Sequence, residues 1–188
     1  MRSLIALLLT ASAATAQEAE LPPFKHCFDR EAERYEWRLR IHQGRDLDAA
    51  DFDLWHARGV EYCGNIGVTR CDRTVDPIPC QEALIAEQDT LRDKVVSGLP
   101  APTERDDLPG QLYARVYALA HGVSAGPDCA GAPELLATWC EAREANLRLQ
   151  NAVLAWQVGR WLNVTEPALV AGWAAPAAPV RPRGRPEQ

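Results

Sequence analysis

No two of the six cysteines in this chain stand two to four residues apart; they fall at Cys27, Cys63, Cys71, Cys80, Cys129 and Cys140. Structural zinc sites usually take two ligands from one such tight knuckle, so its absence argues against zinc. There is also no C-x-x-C for thiol exchange and no C-x-x-C-H for covalent haem. The four histidines, at 26, 42, 56 and 121, are scattered. No cofactor and no metal are expected. Serine is nearly missing: beyond residue 16 only Ser97 and Ser124 occur, each near a glycine read as a helix stop. The nucleophile elbow G-x-S-x-G, H-E-x-x-H, the Walker loop and the dinucleotide fingerprint are all lacking. No alternating pattern long enough for a strand occurs, and no apolar run is long enough to span a bilayer. Basic excess is lacking too, with 20 Lys and Arg against 26 Asp and Glu, which disfavours nucleic acid because phosphates would repel the chain. The expectation is a protein that is not an enzyme.

What is present begins with an export signal. Met1-Arg2 gives a positive start, residues 3–13 are apolar or small, and Ala14-Thr15-Ala16 reads as a cleavage site before Gln17. Residues 1–16 are therefore expected to be removed, with the mature protein in the bacterial periplasm or secreted. Removing 16 of the 188 residues leaves 172, a usual size for one domain, and loss of Arg2 moves the formal charge from −6 to −7. No transmembrane segment is expected after cleavage.

Helical periodicity dominates the rest. Phe24, Phe28, Ala32, Tyr35, Leu39 and His42 predict a first helix over about 24–43, stopped by Gly44. Asp48 as N-cap, with Leu47 stapled to Phe52, predicts a second over about 49–63, with Gly64 at the left-handed C′ position. Residues 64–79 read as a loop. A third helix is expected at about 80–97 with Cys80, Leu84, Leu91 and Val95 inward, and a fourth at about 108–121 on Leu112, Val116 and Leu119. After Pro133 a last helix of about 133–163 has two apolar sides, Cys140, Leu147, Leu154 and Trp161 on one, and Leu135, Ala142, Leu149 and Trp156 nearly opposite. It reads as the spine of an all-α, disulfide-stapled bundle of about five helices. One helical domain over 17–173 is expected, with a disordered Pro/Arg tail at 174–188.

Export and an even cysteine count favour disulfides, although six cysteines permit 15 pairings. The expected helix ends favour Cys63–Cys80, tying helix two to helix three. Cys129–Cys140 would pin the second long loop onto the spine, and Cys27–Cys71 would then join helix one to the first loop.

Trp55, Cys63 eight residues later, a loop, and Cys80 opening a helix with Thr90 and Arg92 resemble the periplasmic LprI-like lysozyme-inhibitor N-terminal domain, over about residues 27–97. That family's motif runs Trp, Arg, Cys at four-residue steps. Here position 59 is Gly, with Arg58 one place early, and the family's early cysteine pair is reduced to Cys27. The likeness covers the part at about 24–98; the additional helices at about 108–163 fall outside it. It implies a non-catalytic binding protein, an inhibitor of lysozyme, whose partner is basic. Acidic residues that could meet such a partner cluster at Asp46, Asp48, Asp51 and Asp53, and at Glu104, Asp106 and Asp107. Acids near helix starts also simply favour the helix dipole. The alternative function is a structural or assembly factor of the cell envelope, and an enzyme acting on cell-wall glycan ranks third.

Overall fold

A computed structural model describes residues 20–43, 45, 57–122 and 129–176. Five helices make up the fold: α1 (Phe24–His42), α2 (Arg58–Asp72), α3 (Pro77–Ser97), α4 (Leu108–His121) and α5 (Glu134–Trp161). No strand occurs among the described residues. The fold is all-α, as expected. The export signal at 1–16, the aspartates at 46, 48, 51 and 53, Trp55 and most of the tail lie outside the described residues.

α5 is the spine. Its 28 residues span about 42 Å at 1.5 Å each, and it packs against α2, α3 and α4. Ala142, Ala145, Ala152 and Ala155 are fully buried on it, so backbones approach closely there, while Leu149, Trp156 and Val158 supply the apolar bulk. Of the two expected apolar sides, that of Leu135, Ala142, Leu149 and Trp156 is buried except at Leu135, whereas on the other Cys140 is buried, Leu154 and Trp161 are half-buried and Leu147 is exposed.

α1 follows the expected stripe, burying Phe24, Phe28, Ala32, Tyr35 and Leu39. The Tyr35 hydroxyl donates to the backbone oxygen of Gln157 at 2.7 Å, anchoring α1 to the spine. α2 differs from expectation. It does not stop at Cys63 but runs to Asp72, so residues 64–72 are helical rather than loop. Gly64 is not a C′ residue: a Cβ there would lie 2.2 Å from Nδ2 of Asn146, so the glycine lets α2 close onto α5. α3 likewise starts early, at Pro77, because proline in a first turn gives up no hydrogen bond. In α4 the expected bounds hold, and the Asp107 side chain caps the Gly110 amide at 3.2 Å. Its buried face is turned, however, to Gly110, Tyr113, Val116 and Ala120, leaving Leu119 exposed. The turn lets the Tyr113 hydroxyl donate to the Pro100 carbonyl at 2.7 Å.

The disulfides are Cys27–Cys63, Cys71–Cys80 and Cys129–Cys140. The third is the pair expected. Cys63–Cys80 and Cys27–Cys71 are not formed, and the length of α2 is the reason. Cys63 sits in mid-helix facing α1, and Cys71 falls in the last turn beside the start of α3. Their Cα separations from Cys27 and Cys80 are 5.5 and 5.3 Å, within disulfide reach.

Beyond α5 the chain folds back over α1. Asn163 takes a left-handed conformation (φ 56°), and its side-chain oxygen accepts from Gln43 Nε2 at 2.7 Å. Arg160 donates to both carboxylate oxygens of Glu36, at 2.9 and 3.1 Å, and to the Thr165 carbonyl at 2.9 Å. Trp173 packs on Phe28 and Trp156, and the Ala175 amide donates to Asp29 at 3.0 Å.

Candidate functional site

A groove of about 610 Å³ runs between α1 and α2. Arg30, Arg34 and Arg38 stand along it at four-residue steps on α1, and Arg58 enters from the first residue of α2. Phe28, Tyr35 and Trp173, each nearly fully buried, lie at its base, and Tyr62, 60% exposed, stands at its edge. Among the described residues Glu31 is the one acidic residue lining it; it lies 3.5 Å from Arg34.

Local sequence explains this shape. The four-residue step keeps the three arginines on one side of α1, while Phe28, Ala32 and Tyr35 turn inward. Cys27–Cys63 sets the spacing of the two helices below the groove. At Gly59 a Cβ would stand 2.6 Å from Oε2 and 2.9 Å from Cγ of Glu31, so α2 approaches α1 there only because position 59 has no side chain. An arginine at 59, as in the LprI-like motif, would collide with Glu31. Burial raises the pKa of the Tyr35 phenol, with the neighbouring Glu36 carboxylate adding to the rise. Tyr35 therefore stays neutral beneath the groove, its hydroxyl proton committed to the Gln157 carbonyl.

The acidic residues singled out in the sequence are placed differently. Asp46, Asp48, Asp51 and Asp53 lie outside the described residues. Glu104, Asp106 and Asp107 precede α4, and they are not brought to the groove. Asp107 pairs with Arg105 and caps α4, and the Arg105 hydrogen bond holds its carboxyl below the usual range. The Asp106 carbonyl accepts from Gln111 Nε2 at 2.9 Å. Two of these three residues thus serve the start of a helix. The basic ladder went unread in the sequence, although its signal, arginine at every fourth position, was there.

A smaller cleft of about 250 Å³ separates α2 from α5 and is lined by Glu61, Asn65, Glu144, Asn146 and Gln150 among others. Asn146 donates to the Val60 carbonyl at 3.2 Å and accepts from Gln150 at 2.7 Å, so this polar lining is tied into the helix packing. Among the described residues no group of three His, Cys, Asp or Glu is placed to hold a metal ion. All six cysteines are in disulfides, so no thiol is available as a nucleophile.

Fold and site together define a class: an all-α protein whose helices are stapled by three disulfides and which carries an arginine-lined groove between its first two helices. No family model matches the chain, and neither a curated protein nor a solved structure is similar to it.

Proposed function

We propose that this is a non-catalytic binding protein of an oxidising compartment outside the cytoplasm, and that its α1–α2 groove receives an anionic partner. The observation that carries this reading is that Arg30, Arg34, Arg38 and Arg58 line one groove, with Glu31 the one acid lining it among the described residues and an exposed tyrosine at its edge. Arginine forks match carboxylates and phosphates, and Arg and Tyr are the side chains enriched where protein interfaces hold tightly. Three disulfides support the compartment, since such bonds persist where thiols are not kept reduced. No helix among the described residues is long and apolar enough to cross a membrane. The segment 1–16, read as an export signal, makes the periplasm the site in this proposal; N-terminal sequencing of mature protein beginning at Gln17 tests that part.

The groove is tested with poly-L-glutamate and, for contrast, poly-L-lysine, each titrated at two salt concentrations. Wild-type protein should bind the polyanion and release it as salt rises. The double variant Arg30→Gln/Arg34→Gln should bind about tenfold more weakly, taking each rim charge as worth up to about 1 kcal/mol. Binding to polylysine alone, or polyanion binding that ignores the double variant, refutes the proposal.

A narrower second reading follows the LprI-like resemblance: inhibition of a basic lysozyme by the acidic residues Asp46, Asp48, Asp51, Asp53, Glu104, Asp106 and Asp107. The net charge of −6 favours it, because opposite charge steers encounter. Titration against c-type lysozyme decides it. Full muramidase activity at micromolar concentrations of this protein removes that reading and leaves the groove untouched.

A further inference from the structure

Independently of the groove, we infer that a pocket between the C-terminal end of α3 and the segment after α5 binds a small organic cation, an ammonium carried on a compact apolar body. The pocket has a volume of about 300 Å³, at the small end of ligand-sized cavities. Every residue that lines it is among those described. Val95, Leu99, Trp156 and Trp173 form an apolar floor, each of them more than nine-tenths buried. Ser97, Gly98 and Glu166 stand exposed at the rim. The walls are held before any ligand arrives. Arg160 ties the Thr165 carbonyl to Glu36, and the Tyr113 hydroxyl fixes the Pro100 carbonyl at 2.7 Å. A site fixed in advance loses less freedom on binding.

The lining has acceptors to offer and few donors. The Ser97 hydroxyl donates to the Lys94 carbonyl at 2.9 Å, and the Thr165 hydroxyl to the Trp156 carbonyl at 3.3 Å. The Trp156 indole N–H donates to the Glu166 carbonyl at 2.9 Å. The amides of Gly98 and Leu99 close the end of α3 on the Val95 and Val96 carbonyls, each at 3.1 Å. The pocket lies against the carbonyl end of α3, where the helix dipole places partial negative charge. Glu166 is the one charged residue lining it among the described residues, and no basic side chain joins it there. Lys94, in the last turn of α3, is not part of the lining. An anion would meet a carboxylate and a negative helix end with no cation to offset them. A neutral apolar molecule would cover the floor and leave the rim unused. A cation with an apolar body satisfies both, and the excess of acid over base in the chain, 26 against 20, draws it in.

The test uses the full mature protein and three probes of similar shape: phenethylamine, 2-phenylethanol and 3-phenylpropionate, which are positive, neutral and negative at neutral pH. Binding is read by isothermal titration calorimetry. Phenethylamine should bind saturably and about tenfold tighter than 3-phenylpropionate, with 2-phenylethanol between them. Glu166→Gln should weaken the amine about threefold and leave the alcohol unchanged, because an exposed charge is worth only a few-fold in affinity. Ala171→Phe and Ser97→Phe, both at exposed lining positions, crowd the pocket from its two walls, and each should weaken the amine at least about fivefold. Circular dichroism of each variant must match the wild type. Equal or tighter binding of the propionate, no saturable binding of the amine, or amine binding unchanged in Glu166→Gln overturns the inference. Amine binding untouched by both crowding variants overturns it as well, since the site is then elsewhere. The polyglutamate titration of the groove stands or falls separately from all of these outcomes.

Discussion

The three disulfides close loops of very different length, which gives a graded prediction. Cys27–Cys63 joins residues 36 apart in sequence, whereas Cys71–Cys80 and Cys129–Cys140 join residues 9 and 11 apart. If a crosslink acts mainly by restricting the unfolded chain, the long loop contributes about 4 kcal/mol at 25 °C, and each short one about 3 kcal/mol. Packing widens the gap. Cys27, Cys63, Cys71 and Cys140 are all buried, but only Cys27 and Cys63 belong to the main apolar cluster. Replacing them by alanine therefore also removes sulfur from a filled interior, at a cost of roughly 1 kcal/mol. The paired variants Cys27→Ala/Cys63→Ala, Cys71→Ala/Cys80→Ala and Cys129→Ala/Cys140→Ala should then lose about 5, 3 and 3 kcal/mol. Urea unfolding followed by circular dichroism measures each difference. The same series separates stability from binding, because only Cys27–Cys63 lies between the groove helices. Its removal should weaken polyanion binding under conditions where the protein is still folded, and the other two should not. If the α1–α2 variant loses no more stability than the two short-loop variants, the loop-length argument is wrong. If it binds as well as the wild type, the disulfide does not set the groove.

Three further perturbations have definite expected outcomes. Arg160 joins Glu36 of α1 to the Thr165 carbonyl, both partners being largely shielded, so Arg160→Ala should cost about 2 kcal/mol, and Arg160→Lys should recover little because an ammonium lacks the fork; full rescue by lysine in urea melts would contradict this. Gly64→Ala places a methyl group 2.2 Å from the Asn146 amide and should cost roughly 1–3 kcal/mol, with an unchanged urea midpoint as the refuting result. Glu87 has its pKa raised by burial, so its charged form opposes folding above the raised value. Glu87→Gln should be more stable than the wild type at neutral pH, and the advantage should shrink as pH falls below that value and be gone below the ordinary carboxylate range, where both folded and unfolded chains hold the proton; an advantage that grows in acid would refute the assignment.

The helices were legible where glycine and proline punctuate them and misread where glycine does another job. α1 and α4 came out within a residue or so, because apolar positions repeat at steps of three and four along each. In α2 the signal misled. Gly64, after a falling apolar pattern, looks like a helix terminator, yet it is the point where the Asn146 side chain fits against the backbone. The roughly 1 kcal/mol a mid-helix glycine costs is offset by packing that only the folded chain reveals. That single error propagated. A helix ending at Cys63 makes Cys63–Cys80 look natural, and a helix reaching Asp72 sends Cys63 to α1 and Cys71 to α3.

The groove was hidden for a different reason, one of local against total charge. Along α1 the arginines at 30, 34 and 38 alternate with glutamates at 31, 33 and 36, so any short window of sequence sums to nearly nothing. Folding sorts the two signs. Glu36 turns away to meet Arg160, while Glu31 stays in the groove, where Gly59 makes room for it. Some acids elsewhere have partners of their own: Asp89 and Glu141 share Arg148, and Asp107 holds Arg105. A chain with six more acidic than basic residues can therefore present a cationic groove. Net charge predicted a basic partner by averaging over the surface. On the proposed reading the groove itself favours an acidic partner, because a partner a few ångströms away meets the nearest guanidinium groups before it meets the average.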